Sequence, residues 1–244
     1  MMKILSIGNS FSQDAQRYLH RIARKDGVAL DTVNLCIGGC PLPLHHAHMK
    51  SGAVSHYLEV NGESSGFPVS LKDALCNSPW DAVTLQQVSH EAPYFETYEP
   101  YLSELAAYIR AHAPSAKILL QQTWAYEEGS KRLTAELGYA NYKDMLADVR
   151  ASYERAAEII HADGIIRSGE LFDRMLCAGI PRVHRDTFHA TLGLGRYAIG
   201  LLWYATLTGK DVSEDRFSDL DEPATEEELC IARRCVAELV RDYR

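Results

Sequence analysis

Short apolar runs alternate with longer stretches of helical spacing along the 244-residue chain, and each change of period marks a change of element. Lys3-Ile4-Leu5-Ser6-Ile7 reads as a buried strand. Behind it Ala15, Tyr18, Leu19 and Ile22 fall at i, i+3, i+4 and i+7, one face of a helix that closes at Gly27. Leu30 to Ile37 predicts a second strand ending in Gly38-Gly39, and Ala82 to Gln86 a third, entered from Pro79-Trp80-Asp81. A helix from Tyr98 to His112 stops at Pro114, and Lys117 to Gln121 follows as a fourth strand. Met145, Val149, Tyr153, Ala156 and Ile160 place one buried stripe on a helix within Asn141 to Asp163, and Gly164-Ile165-Ile166 is a short fifth strand. Residues 191–207 are apolar nearly all round, as a buried helix would be. Thr225 to Asp242 opens on three glutamates and ends near Arg241, matching the helix dipole.

This rhythm predicts a parallel sheet covered by helices on both faces. Two stretches break it, near 40–70 and 123–140, and the first contains a hairpin-like segment from Tyr57 to Val69. Both follow strand ends, the side of an open α/β sheet where ligands bind. With no internal repeat or low-complexity tract, one domain over 1–244 carrying these two insertions is expected.

Composition removes several classes of function. With 46% hydrophobic residues the chain can build a large core, which excludes a disordered protein. Its 25 Lys+Arg against 33 Asp+Glu give a net charge of −8, so nucleic acid and anionic membranes are poor partners. The longest strongly apolar stretch, Tyr197 to Leu207, has 11 residues, well short of the ~20 that span a bilayer. The amino end has too short an apolar run for a signal peptide, so a cytoplasmic location is expected. Six cysteines without a CxxC pair are expected to be free thiols.

Four polar elements fall at strand ends. Ser10 lies in Gly8-Asn9-Ser10-Phe11-Ser12, just past the first strand and before a helix, where its hydroxyl is placed to act as a nucleophile; alternatively, Ser10 or Ser12 caps that helix. No phosphate-loop pattern accompanies it. Asp186 stands three residues before His189, a spacing at which a carboxylate can orient an imidazole base. His184, Asp186 and His189, or His45, His46 and His48, could instead ligate a metal, but neither group has a zinc-type spacing with a matching distant pair, so no metal or other cofactor is expected. Gly38-Gly39 lets backbone N–H groups approach a ligand, and Gln86-Gln87 offers side-chain amides to an oxyanion; equally, these residues could shape a turn and bind loop backbone.

Taken together, Gly8-Asn9-Ser10-Phe11, Gly39, an amide-bearing loop after strand three and Asp186-x-x-His189 resemble the SGNH (GDSL-type) hydrolase superfamily over residues 3 to about 207. The resemblance implies a flavodoxin-like three-layer α/β/α fold with a five-stranded parallel sheet in the order 2-1-3-4-5, and metal-free hydrolysis of a small acyl ester, an acylated sugar among the candidates. It implies Ser10 as nucleophile, His189 as general base and Asp186 as its orienting partner. The N–H groups of Ser10 and Gly39 and an amide after strand three would form the oxyanion hole. The chain departs from the family in two places. Asn9 replaces the usual aspartate before the serine, and Leu85-Gln86-Gln87-Val88-Ser89-His90 stands where Gly-x-Asn-Asp is usual. Gln87 takes the place of the missing asparagine in this reading, with Gln86 and Ser89 as alternatives. Gln-Gln-x-Ser with the later Gln122-Thr123-Trp124-Ala125-Tyr126 resembles an uncharacterised bacterial branch. His90, Trp124 and Tyr126 are expected to line the substrate pocket, unless Trp124 is core. The rival reading is an SGNH-like binding protein of little or no catalytic power.

Overall fold

The computed structural model describes residues 1–243; Arg244, the end of the expected 1–244 domain, lies outside the described residues. β1 (Met2–Gly8) leads into two short helices, α1 (Ser10–Gln16) and α2 (Leu19–Lys25), and then β2 (Leu30–Cys36). The first insertion supplies α3 (Leu42–Ser51), β3 (His56–Val60), β4 (Glu63–Val69) and α4 (Leu71–Cys76). β5 (Ala82–Leu85), α5 (Tyr101–His112), β6 (Lys117–Gln121), α6 (Tyr142–Ile160) and β7 (Gly164–Ile166) continue the alternation, and α7 (Ser168–Cys177), α8 (Leu194–Thr208) and α9 (Glu226–Asp242) complete it.

The five-stranded parallel sheet expected from the resemblance is corrected to a mixed sheet of seven strands, in the order β4-β3-β2-β1-β5-β6-β7. β2, β1, β5, β6 and β7 pair in parallel. The hairpin β3–β4 adds antiparallel to the outer edge of β2, with Val33 opposite Val60 and Cys36 opposite Tyr57. An uncovered β2 would present a row of unpaired N–H and C=O groups, and the hairpin moves that edge outward. Its turn is Asn61-Gly62, with φ of 53° and 83°, the conformation an Asn-Gly hairpin turn requires. Gly62 is needed on a second count, because a Cβ there would lie 2.5 Å from the Arg17 carbonyl oxygen.

β1 is buried from Ile4 onward and β5 throughout, as strands covered on both faces must be. α1, α2, α8 and α9 pack together on one side, α3, α4, α5 and α6 on the other. The apolar stripe Ala15, Tyr18, Leu19 and Ile22 is wholly buried, but the single expected helix is broken between α1 and α2. Tyr18 sits at the break, its hydroxyl donating to Leu192 O (2.6 Å) and accepting from Asp221 N–H (2.6 Å). α9 starts on a capping box in which Thr225 and Glu228 each bind the other's backbone N–H. Among the described residues no helix is long and apolar enough to cross a membrane.

Candidate active site

The site begins at the junction of β1 and α1. Asn9 is the cap of α1: its Oδ1 accepts the Phe11 N–H at 3.0 Å. The serines that could have capped the helix are therefore released from that duty. Ser12 Oγ instead donates within a buried network, 2.7 Å from Asn9 O and 2.8 Å from Asn34 Oδ1. Ser10, the first residue of α1, has no carbonyl one turn back within the helix for its own N–H. Gly8 permits this packing, since a Cβ at that position would fall 2.4 Å from Ser12 Oγ and 3.2 Å from Gln86 Cδ. Asn9 also donates from Nδ2 to Cys40 O (3.1 Å) and accepts from Gln86 Nε2 (2.6 Å), so one side chain ties the ends of β1, β2 and β5 together.

The structure brings Ser10 to a histidine 179 positions away in the sequence. Ser10 Oγ lies 2.8 Å from His189 Nε2, and His189 Nδ1 lies 2.8 Å from Asp186 Oδ2. The other carboxylate oxygen of Asp186 accepts the His189 backbone N–H at 2.9 Å, so this carboxylate fixes ring and backbone together. Burial pushes the Asp186 carboxyl up, but the hydrogen bonds from the His189 ring and backbone outweigh it and hold the group below the usual carboxylate range. Ionised Asp186 then requires the proton on His189 Nδ1, leaving Nε2 as the acceptor facing Ser10.

A residue that the sequence reading passed over holds this arrangement in place. Asp14 lies one helical turn beyond Ser10 on α1 and is fully buried. Its oxygens accept from Arg185 Nη1 (3.0 and 3.1 Å), Arg196 Nε (2.8 Å) and the backbone N–H of Ala190 (3.0 Å). The helix that carries the serine is thus bound to the loop that carries the histidine. The i, i+4 spacing of Ser10 and Asp14 is visible in the sequence, but the two arginines 171 and 182 positions away are not an obvious match. From the other side Trp124 Nε1 donates to Phe188 O (2.6 Å), and Glu127 N–H donates to O of Thr187, which holds φ of 75°.

Several expected site residues are placed elsewhere. Gln87, expected in the oxyanion hole, is fully buried. Its Oε1 accepts from the N–H groups of Leu42 and Val88 (2.9 Å each), and its Nε2 donates to Thr97 O (3.1 Å) and Oγ1 (3.0 Å). That amide is spent on holding loops, because an unpaired buried amide would cost more than the bonds it makes here. Gln86 Nε2 is engaged by Asn9, and Ser89 Oγ shares a 2.9 Å hydrogen bond with Tyr126 OH. Trp124 takes the core alternative: it is fully buried, stacked on Phe11 with ring centroids 4.1 Å apart. Tyr126 is likewise buried, beneath Phe188, whereas His90 is exposed. Gly39, with φ of 63°, is exposed beside open space. Cys36 and Cys40 flank this turn with thiols that burial pushes up to about 12, too high to ionise near neutrality.

The histidine groups considered as metal ligands do not converge. His184 is buried with Nε2 against Ala125 O (3.0 Å). His46 faces Glu104 (2.9 Å), while His45 and His56 meet ring to ring. No set of three or more His, Cys, Asp or Glu is placed to hold a metal ion among the described residues. A cavity of about 770 Å³ opens between α8, α9 and the amino ends of β1, β5, β6 and β7, at the opposite end of the sheet from Ser10.

A family model described as "Domain of unknown function (DUF4886)" matches residues 3–236. No curated protein is detectably similar in sequence. Among solved structures, a DUF4886 family protein from Bacteroides uniformis superposes with a TM-score of 0.91 at 28% identity, over 98% of this chain and 95% of that one. A protein of Slackia heliotrinireducens, provisionally assigned to the SGNH hydrolases, gives 0.63 at 21% identity over 84% and 98%. A family 3 carbohydrate esterase of Clostridium thermocellum gives 0.51 at 14% identity over 83% and 93%. The fold is that of the SGNH hydrolases.

Proposed function

The chain belongs to the DUF4886 family, and we propose that it is a serine esterase that hydrolyses short-chain acyl esters through Ser10, His189 and Asp186. The observation that carries this reading is the continuous chain of two 2.8 Å hydrogen bonds from Ser10 Oγ through His189 to Asp186. Ser10 Oγ attacks the ester carbonyl while His189 Nε2 takes its proton. The tetrahedral intermediate expels the alkoxide, which receives that proton, and water then cleaves the acyl-serine with His189 again as base. In this reading the N–H groups of Ser10 and Gly39 stabilise the developing oxyanion. Asp186 acts by keeping the ring oriented and by stabilising the imidazolium. An acylated sugar is the alcohol-bearing substrate we favour, on the precedent of the carbohydrate esterase that shares the fold.

One observation favours a weaker enzyme. Gln87 is engaged on loop backbone, so in this reading the oxyanion relies on backbone donors without an amide from that residue. A missing donor typically costs about 10²- to 10³-fold in kcat, and a protein that binds an acyl ester while turning it over slowly is the second reading. Labelling with a fluorophosphonate, together with 4-nitrophenyl acetate hydrolysis, tests the proposal. The wild type should be labelled at Ser10 and should turn over the ester, and Ser10→Ala should lose both with an unchanged circular dichroism spectrum. Hydrolysis undiminished in Ser10→Ala would remove the nucleophile.

A further inference from the structure

The second insertion places a charge beside the site that the mechanism above leaves unused. Residues 132–136 form a π-helical turn, a backbone form found mostly as single turns at functional places. The turn is anchored by Leu133, which is fully buried, and by Ser130, whose Oγ accepts the Leu133 N–H at 3.2 Å. Arg132 projects from it and is exposed. Its guanidinium carbon stands 4.1 Å from the centroid of the Phe188 ring, and that ring lies 3.9 Å from the imidazole of His189. Guanidinium, phenyl and imidazole thus follow one another in contact. Among the described residues no carboxylate comes within 4.0 Å of the Arg132 guanidinium. Glu136, one turn on, is outside that range, and Glu127 at the same rim stands 3.9 Å from Arg182. The Arg132 side chain hydrogen-bonds the buried Tyr126 hydroxyl, which also pairs with Ser89 Oγ.

We infer that Arg132 recognises a carboxylate on the alcohol half of the ester, so that the preferred substrate is the O-acyl ester of a hydroxy acid. The inference rests on the esterase reading and on one further step of geometry. The leaving alkoxide must approach His189 Nε2 to receive its proton, whereas the acyl group lies toward Gly39 and the oxyanion donors. Arg132 stands on the histidine side, joined to it through Phe188. A planar guanidinium without a carboxylate partner, held against an aromatic face and donating to the Tyr126 hydroxyl, still has N–H groups to offer a carboxylate. The overall charge of −8 makes such a local cation more telling, since an acidic substrate would otherwise be repelled by the protein as a whole.

The test compares kcat/KM for 4-acetoxybenzoate, which carries its charge on the alcohol side, with that for phenyl acetate. A second comparison sets 4-nitrophenyl hemisuccinate, charged on the acyl side, against its neutral methyl ester. In Arg132→Gln the first ratio should fall about tenfold, the second should change far less, and Arg132→Lys should restore part of the loss. In the wild type the first ratio should decline with added salt, a dependence that Arg132→Gln should lack. An unchanged first ratio, or a loss confined to the hemisuccinate pair, would overturn the inference. Binding of 4-hydroxybenzoate followed by ligand NMR decides the matter separately from turnover. If no ester is hydrolysed the esterase reading fails, yet weaker binding in Arg132→Gln still upholds the carboxylate site and equal binding refutes it.

Discussion

The imidazole of His189 and the paired imidazoles of His45 and His56 stand in opposite electrostatic settings. His189 is part-exposed, with a carboxylate on Nδ1 and a serine hydroxyl on Nε2. His45 and His56 are buried against each other, Nδ1 to Nε2 at 3.1 Å, with His48 edge-on to His56 and the outer nitrogen of His56 unpartnered. Burial first, and then the neighbouring imidazoles, push His45 down to about 3 and His56 down to about 4. A ring in that setting has no carboxylate to stabilise its imidazolium and cannot take up a proton during a reaction near neutrality. Density of histidine is therefore a poor guide to chemistry, and what decides the matter is the group on the far nitrogen.

The largest effect that sharpens this contrast is on turnover. His189→Ala should lower kcat for an aryl acetate by about 10³-fold or more, whereas His56→Leu should alter the melting temperature and leave kcat per folded molecule within a few fold. A comparable loss of kcat in both variants would erase the distinction.

Next in size is the fastening of the His189 loop by Asp14. Asp14→Asn leaves Arg185 without its buried partner and free to pull on Asp186, whose Oδ2 is already 3.9 Å from its Nε. We expect kcat to fall about 10- to 100-fold through displacement of the ring, with KM little changed and slower fluorophosphonate labelling of Ser10. Stability should also drop, by about 3 kcal/mol, as for other broken buried pairs. A lower melting temperature with kcat held within twofold would make Asp14 a purely structural residue.

The smallest effect per residue concerns acid. His184 is held by burial at about 4, like His45 and His56 well below the ~6.5 of an unfolded histidine. Between those values the unfolded chain binds the more protons, so these rings contribute stability above about pH 6.5 and lose it as the pH falls toward 4. Urea unfolding at pH 7.5 and pH 4.5 should differ by about 1–3 kcal/mol for each ring concerned. His184→Gln, which keeps a donor for Ala125 O, should narrow the gap. Equal stability at the two pH values would mean that the rings are hydrated.

Periodicity alone was enough to locate the parallel strands and most helices, because a strand buried on both faces and a helix with one apolar stripe each leave a repeat that needs no partner to be read. The strip Met145 to Ile160 became α6, and Ala82 to Gln86 became β5 with Gln86 just beyond it. The hairpin at 56–69 was visible as a hairpin, but its attachment to β2 was not, since an edge strand's alternation does not name its neighbour. In the candidate site, Ser10 and Asp186-x-x-His189 were legible because a serine before a helix and a carboxylate three residues from an imidazole are local patterns. Gln87 and Trp124 misled, because an amide or an indole written in a loop looks the same whether it faces substrate or satisfies buried backbone.

What the amino-acid order determined by itself was therefore everything carried by near neighbours: the β-α alternation, the Asn-Gly turn, the Thr225 cap, and the residue types of the candidate site. Only tertiary structure decided that Asn9 would meet Cys40 and Gln86, that Asp14 would hold Arg185 and Arg196, and that Arg132 would lie over Phe188. The physical reason is that a polar group's role depends on which partner satisfies it, and those partners stand up to 182 positions away along the chain, within about 3 Å in space.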